Sequence, residues 1–262
     1  RREVTAYASK ATGMQIQVER IDLRFPLNLL VRGVEVIQQP DTLLSLESLN
    51  VRVQAWPLLK GKVEVDEVTL SQVAVNSANL IEGMQIKGVL GRFFLQSHGV
   101  DLSNETAVVN RTELSDTHIQ LLMTDTTTTP KDTTASAPVN WKVNLHQLKL
   151  KNVSFGMKLP ADSMKMAAYI GEATIDDAKA DLKNQFYGLK QFLLSGASAS
   201  YDTGEAQPSE GFDASHMAVR NIRIGLDSLL YEGRNMNAVI REITMEERSG
   251  LSITSLTGRL FS

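Results

Sequence analysis

Cysteine is absent from this 262-residue chain, which removes disulfides, thiolate metal sites and cysteine nucleophiles together. A dominant charge is missing as well. Lys and Arg number 27 against 30 Asp and Glu, a net charge of −3, so no basic field exists to attract a phosphate backbone and nucleic acid is not expected as a partner. No stretch approaches the ~20 apolar residues needed to cross a bilayer; typical runs are Leu29-Leu30-Val31 and Phe192-Leu193-Leu194. The chain opens at Arg1-Arg2-Glu3 with neither an initiator Met nor a signal-peptide hydrophobic region, which is the expectation for a piece of a longer protein whose anchor lies elsewhere.

Catalytic signatures are equally scarce. The sequence holds no HExxH, GxSxG, GxxxxGK[ST] or GxGxxG. Its four histidines, His98, His118, His146 and His216, are far apart and none has another His at metal-ligand spacing. Asp176-Asp177 could suggest paired carboxylates or a Ca²⁺ site, but they fill the same gap between apolar residues as Asp66-Glu67 does elsewhere, so both pairs read as solvent-facing bulge residues. Asn104-Glu105-Thr106 and Asn110-Arg111-Thr112 are formal glycosylation sequons, meaningful only in a eukaryotic secretory context. No enzyme activity, cofactor or metal is expected.

What is present is a folded protein's composition, 42% hydrophobic and 22% charged. A Thr-rich segment, 124–138, has almost no apolar content and reads as a linker or long loop. It divides the chain into units at 1–123 and 139–262, or else lies within one continuous sheet. Asp202 to Gly211 reads as a surface loop. Val4, Tyr7, Ala8 and Ala11 follow helical spacing and Gly13 stands at a helix stop, predicting a short helix over 1–12. Trp56-Pro57-Leu58-Leu59-Lys60-Gly61 reads as a turn with Trp56 and Leu59 tucked inward.

The remainder alternates as strand does, with one irregularity that recurs. Val63, Val65, Val68, Leu70, Val73 and Val75 are spaced two, three, two, three, two. Val143, Leu145, Leu148, Leu150, Val153 and Phe155 repeat those steps. Shorter copies start at Ile16, Leu29, Leu44, Ala173, Met217, Ala238 and Leu251. A strict period of two would send the apolar set to the opposite face at every three-residue step. A β-bulge absorbs the extra residue, keeps the set on one side and bends the strand. The pattern therefore predicts many strands with one apolar face, each kinked near its middle, in a strongly curved antiparallel sheet. An amphipathic helix is the alternative, disfavoured by the Val, Ile and Thr content. Aromatics are only 6%, so the aliphatic face could leave room for a guest or form an ordinary filled core.

Three segments carry a family resemblance: RIDLRFPLNLLVRGVEV (20–36), DTLLSLESLNVRVQAWPLLKGKVEVDEVTLSQVAVN (41–76) and ERSGLSITSLTGRL (247–260). Their apolar spacing around a few Gly, Pro and Asp residues resembles the AsmA/TamB superfamily. LPADSMKMAAYIGEATIDDAKADL (159–182) and GFDASHMAVRNIRIGLDSLLYEG (211–233) are similar to the second unit of large TamB-type proteins of Bacteroidetes. The resemblance implies a periplasmic protein of the Gram-negative envelope, tethered to the inner membrane by an N-terminal helix. It implies a mainly β, elongated groove (a β-taco) that moves phospholipid between membranes and assists outer-membrane assembly with a BamA-like partner, TamA. The anchor helix and the C-terminal DUF490 portion expected to engage that partner are not in this sequence, so the partner contact is not assigned to these residues. On that basis the lining of a lipid groove is expected at Val63, Val65, Val68, Leu70, Val143, Leu145, Leu148, Leu150, Ile222, Ile224, Ile240 and Ile243. A filled β spacer in outer-membrane protein biogenesis is the alternative.

Overall fold

Alternating aliphatic and polar residues form strand almost throughout the computed structural model, which describes residues 14–25, 27–56, 64–78, 80–81, 83–101, 104–123, 140–204 and 206–262. The expected helix over 1–12, the Thr-rich segment, Leu59 and Val63 lie outside them. The strands are β1 (Gln15–Arg24), β2 (Asn28–Gln38), β3 (Asp41–Val53), β4 (Val65–Asn76), β5 (Met84–Asp101), β6 (Thr106–Met123) and β7 (Lys142–Leu159). After a 3-10 turn at Pro160–Asp162 come β8 (Met164–Asp181), β9 (Phe186–Leu189), β10 (Gln191–Asp202), β11 (His216–Glu232), β12 (Asn235–Glu247) and β13 (Ser252–Phe261). They make a single curved sheet in chain order, with β9 set aside to pair with β8 and β11.

Neighbouring strands run antiparallel with one exception that corrects the all-antiparallel expectation: β6 and β7 are parallel, with Thr106 opposite Lys142 and Leu122 opposite Lys158. A parallel pair needs a crossover of a dozen or more residues, which the segment between Met123 and Lys142 supplies. The sheet thus passes without a break across the Thr-rich segment. Of the loop expected over Asp202 to Gly211, Asp202 is instead the last residue of β10, and the described residues between it and His216 connect β10 to β11. Trp56, expected inward, is instead 78% exposed at the start of a helical turn.

From β1 to β8 the three-residue steps are kinks of a different kind from the expected bulges, whereas at Val219/Ile222 and Ile240/Ile243 the register shifts as in the expected bulges. An ordinary bulge sets two residues against one and shifts the register. Here Leu70 pairs with Phe93 and, beyond the step, Val73 pairs with Leu90, so the partner strand carries a matching step and the register is kept. The same holds from β1 to β8. A line of kink residues therefore crosses the sheet: Glu19, Gly33, Glu47, Gln72, Gly91, Asp116, Asn152, Gly171 and Gly196. Gly33, Gln72, Asp116, Asn152 and Gly196 have positive φ, between 48° and 62°. That backbone region costs most side chains about 1–2 kcal/mol, and Asn, Asp and Gly occupy it most readily.

The line is close-packed. A Cβ on Gly91 would lie 2.7 Å from Asp116 Cβ and 2.9 Å from its carbonyl oxygen. One on Gly171 would lie 2.9 Å from the Gly196 carbonyl oxygen. Where β6 and β7 meet, Asn152 Nδ2 donates to Asp116 Oδ1 at 2.8 Å. A second, shorter line involves His146, Asp177 (φ 49°) and Lys190. Register shifts of the ordinary bulged kind occur as well, between β5 and β6 around Ser97 and between β10 and β11 around Ala197.

Candidate functional site

Register-paired residues share a face of a sheet, and alternate residues along a strand take opposite faces. Following the pairs across the sheet therefore assigns the faces. One row reads Ile21, Val31, Leu49, Leu70, Phe93, Leu114, Leu150, Ala173, Leu194, Ile224, Ile243 and Leu256. It is apolar across twelve strands. The next row reads Leu23, Leu29, Val51, Val68, Leu95, Thr112, Leu148, Ile175, Phe192, Leu226, Ile240 and Gly258. Beyond the kinks, Val18, Val34, Leu46, Val73, Leu90, Thr117, Val153 and Ile170 continue the same surface. Thr117 fits among them because its hydroxyl donates to the Ser115 carbonyl oxygen at 3.1 Å.

The opposite face is polar. Its corresponding row is Arg20, Arg32, Ser48, Ser71, Arg92, Ser115, Lys151, Glu172 and Ser195. Ion pairs on the strands join Arg52 to Glu67 at 2.7 Å and Arg220 to Glu246 at 3.1 Å. Exposed pairs of this kind add little stability; their effect is to keep this face wet.

The eleven described residues of the expected lining all have apolar register partners. Leu70, Leu150, Ile224 and Ile243 lie in the first row, and Val68, Leu148 and Ile240 in the second. Val65 pairs with Val53, Val143 with Ala107 and Ala180, Leu145 with Val109 and Ala178, and Ile222 with Ala197. All eleven are half-buried. No second sheet covers them among the described residues, and the apolar side chains that are well buried there are few: Leu43, Leu46, Ala173, Ala197 and Ala238. The sequence reading missed the contributions of β5, β6 and β10, although Phe192, Leu194, Ala197 and Ala199 repeat the two-three-two step.

The polar groups form local networks. Asp177 accepts from Lys190 Nζ at 2.8 Å and lies 3.0 Å from His146 Nδ1, and these two partners hold its carboxyl below the usual range. Asp176 accepts from Gln147 at 3.1 Å. His216, buried at the start of β11, lies 3.0 Å from Asp213 Oδ2. Asp213 is held well below the carboxylate range by the Ser209 and Ser215 amides and by His216. Glu247, also buried, is lowered by Ser249 and the Ala218 amide. Each network ties a turn or kink to its neighbouring strand. Among the described residues no three His, Asp or Glu side chains converge to hold a metal ion, and no helix is long and apolar enough to cross a membrane.

Among the described residues are two clefts that the sequence reading did not anticipate. The smaller set of lining residues lies along the kink line of β1 to β4 and includes Glu19, Glu35, Glu47 and Arg32. The other cleft, of about 980 Å³, crosses β5 to β11 and draws mainly on polar-face positions such as Lys87, Gln120, Ser154, Tyr169 and Ser200. Neither a scan against protein-family models nor a search of curated proteins finds a match to the chain.

Proposed function

We propose that this chain is a segment of an envelope bridge that shields lipid acyl chains on the apolar face of its sheet, in the manner the AsmA/TamB resemblance implies. The observation that carries the reading is the set of aliphatic rows that cross twelve strands in register while their side chains stay half-exposed. A filled core of comparable size would close over such rows. A lipid tail leaving a bilayer exposes methylenes at ~0.8 kcal/mol each. Ten of them cost about 8 kcal/mol in water on the same scale, and a continuous aliphatic surface removes most of that cost. Such a surface needs no catalytic group and discriminates little between tails. The kinks support the same reading, because from β1 to β8 they fall at one level and bend neighbouring strands together. On this proposal the segment works in the periplasm between an inner-membrane anchor and the outer membrane, and phospholipid is its cargo.

Native mass spectrometry of the purified protein, with lipid extraction, tests it. Bound phospholipid is expected in the wild type. Leu148→Asp, on the half-exposed row, should keep the strand signature by circular dichroism and lose the lipid. Leu46→Asp, at an 8% exposed position, should unfold the protein, since an unpaired buried carboxylate costs several kcal/mol. Absence of lipid from the wild type together with unfolding by Leu148→Asp would favour a filled spacer instead.

A further inference from the structure

The cleft that crosses β5 to β11 lies mainly on the face opposite the aliphatic rows. Most of its lining comes from that face, with Gln85 and Lys87 on β5, Ser154, Gly156 and Lys158 on β7 and Ser198, Ser200 and Asp202 on β10, and the intervening Phe155, Met157 and Ala199 also border it. Its floor is made of small residues, which is why there is a hollow. Its rim is cationic. Lys87, Lys158, Lys165, Arg220 and Arg248 line it against the single carboxylate of Asp202, in a chain whose net charge is −3.

These cations are poorly neutralised. Arg220 is engaged by Glu246, but Lys87, Lys158, Lys165 and Arg248 form no ion pair among the described residues. Lys158 and Lys165 are direct cross-strand partners on β7 and β8, and like charges placed opposite each other destabilise a sheet. Asp202 is the register partner of Lys165 on its other side without an ion pair between them. A bound anion would turn this repulsion into attraction. The volume, about 980 Å³, is that of a site for a whole small ligand rather than a lone ion. Leu122, Tyr169 and Ala167 line the same hollow and give it an apolar wall.

We propose that this cleft binds one amphiphile with an anionic phosphate head, the phosphate between Lys158 and Lys165 and the apolar body along Leu122, Ala167 and Tyr169. The site is separate from the aliphatic rows and does not require them to carry acyl chains.

Isothermal titration of the protein with dihexanoylphosphatidylglycerol, dihexanoylphosphatidylcholine and inorganic phosphate, all below micelle-forming concentrations, tests the assignment. The anionic lipid is expected to bind about tenfold more tightly than the zwitterionic one, and inorganic phosphate more weakly than either. The double variant Lys158→Gln with Lys165→Gln should bring the two lipids to near-equal affinity. Ala167→Trp, which fills the hollow and leaves the charge unchanged, should remove the preference for the anionic lipid with the circular dichroism spectrum preserved. Leu148→Asp, on the opposite face, should leave the preference intact, so loss of acyl-chain carriage and loss of this site are read separately. Equal affinities for the two lipids in the wild type, a preference that survives both cleft variants, or phosphate binding as tight as that of the anionic lipid would each overturn the proposal.

Discussion

Gly91 and Gly171 occupy places in the kink line where a neighbouring strand's carbonyl oxygen comes within 2.9 Å of where a Cβ would sit. Backbone cannot step aside as a side-chain end can, so Gly171→Ala and Gly91→Ala should each destabilise the protein by about 1–3 kcal/mol, read as a lowered urea midpoint. Gly258, whose added Cβ would meet nothing within 4 Å, is the control, and its Ala variant should stay within about 0.5 kcal/mol of wild type. Asp213 gives a second expectation at this scale. The amides of Ser209 and Ser215 donate to its carboxylate at 3.0 and 2.9 Å, and its folded pKa lies below the ordinary value. A depressed carboxyl pKa contributes stability that is complete above the unfolded pKa, about 3.9, and is lost as pH falls through the folded value. Hydrogen exchange in the loop 203–215 should therefore keep its protection down to about pH 4 and lose it only below. Asp213→Asn should remove much of that protection at neutral pH.

Among the elements, β13 stands out as an edge strand whose residues are nearly all exposed. Leu256, Leu260 and Phe261 are 44%, 46% and 75% exposed. Among the described residues it pairs with β12 alone, so its other side offers unpaired N–H and C=O groups beside apolar side chains, a template for association with another strand. Leu260→Lys should lower concentration-dependent self-association in sedimentation velocity while leaving the urea midpoint within about 0.5 kcal/mol of wild type. Strand existence was legible from local spacing, because side-chain alternation and the three-residue steps are properties of one segment. The steps at Leu70/Val73 and Leu150/Val153 are kinks in β4 and β7, as the spacing predicts. β5 and β6 were less legible, since Gly91, Asp116 and Thr117 interrupt their apolar pattern. Those residues answer to a neighbour: Gly91 to the backbone of β6, Asp116 to Asn152, and Thr117 to the Ser115 carbonyl.

For the molecule as a whole, the decisive feature is that each strand packs chiefly against its two sheet neighbours. Stability in such an array is close to a sum of nearest-neighbour terms, as in repeat proteins, so unfolding should depart from two-state behaviour. Hydrogen-exchange mass spectrometry is expected to show protection highest in β6 to β8 and falling toward β1 and β13. Deleting 248–262 should leave the remaining strands folded by circular dichroism. A single cooperative exchange event across all strands would show that the sheet is held by something beyond neighbour pairing. Seven of the expected lining residues were legible as members of the two long rows because the partner strands obey the same spacing rule. The cationic cleft was not legible, because Lys87, Lys158, Lys165 and Arg248 are scattered in sequence and look like ordinary surface charges one at a time.

The sequence by itself determined that the chain is mainly strand, that each strand has an aliphatic face, and that each bends at its three-residue steps, since all three follow from local side-chain spacing and sterics. The tertiary structure alone decided that β6 and β7 run parallel, that the kinks of β1 to β8 line up without shifting the register, and that Trp56 points into solvent. It also decided that lysines from three separate strands surround one hollow. Those outcomes depend on which segment lies beside which, and a strand's own alternation specifies the face it buries but not the partner it chooses.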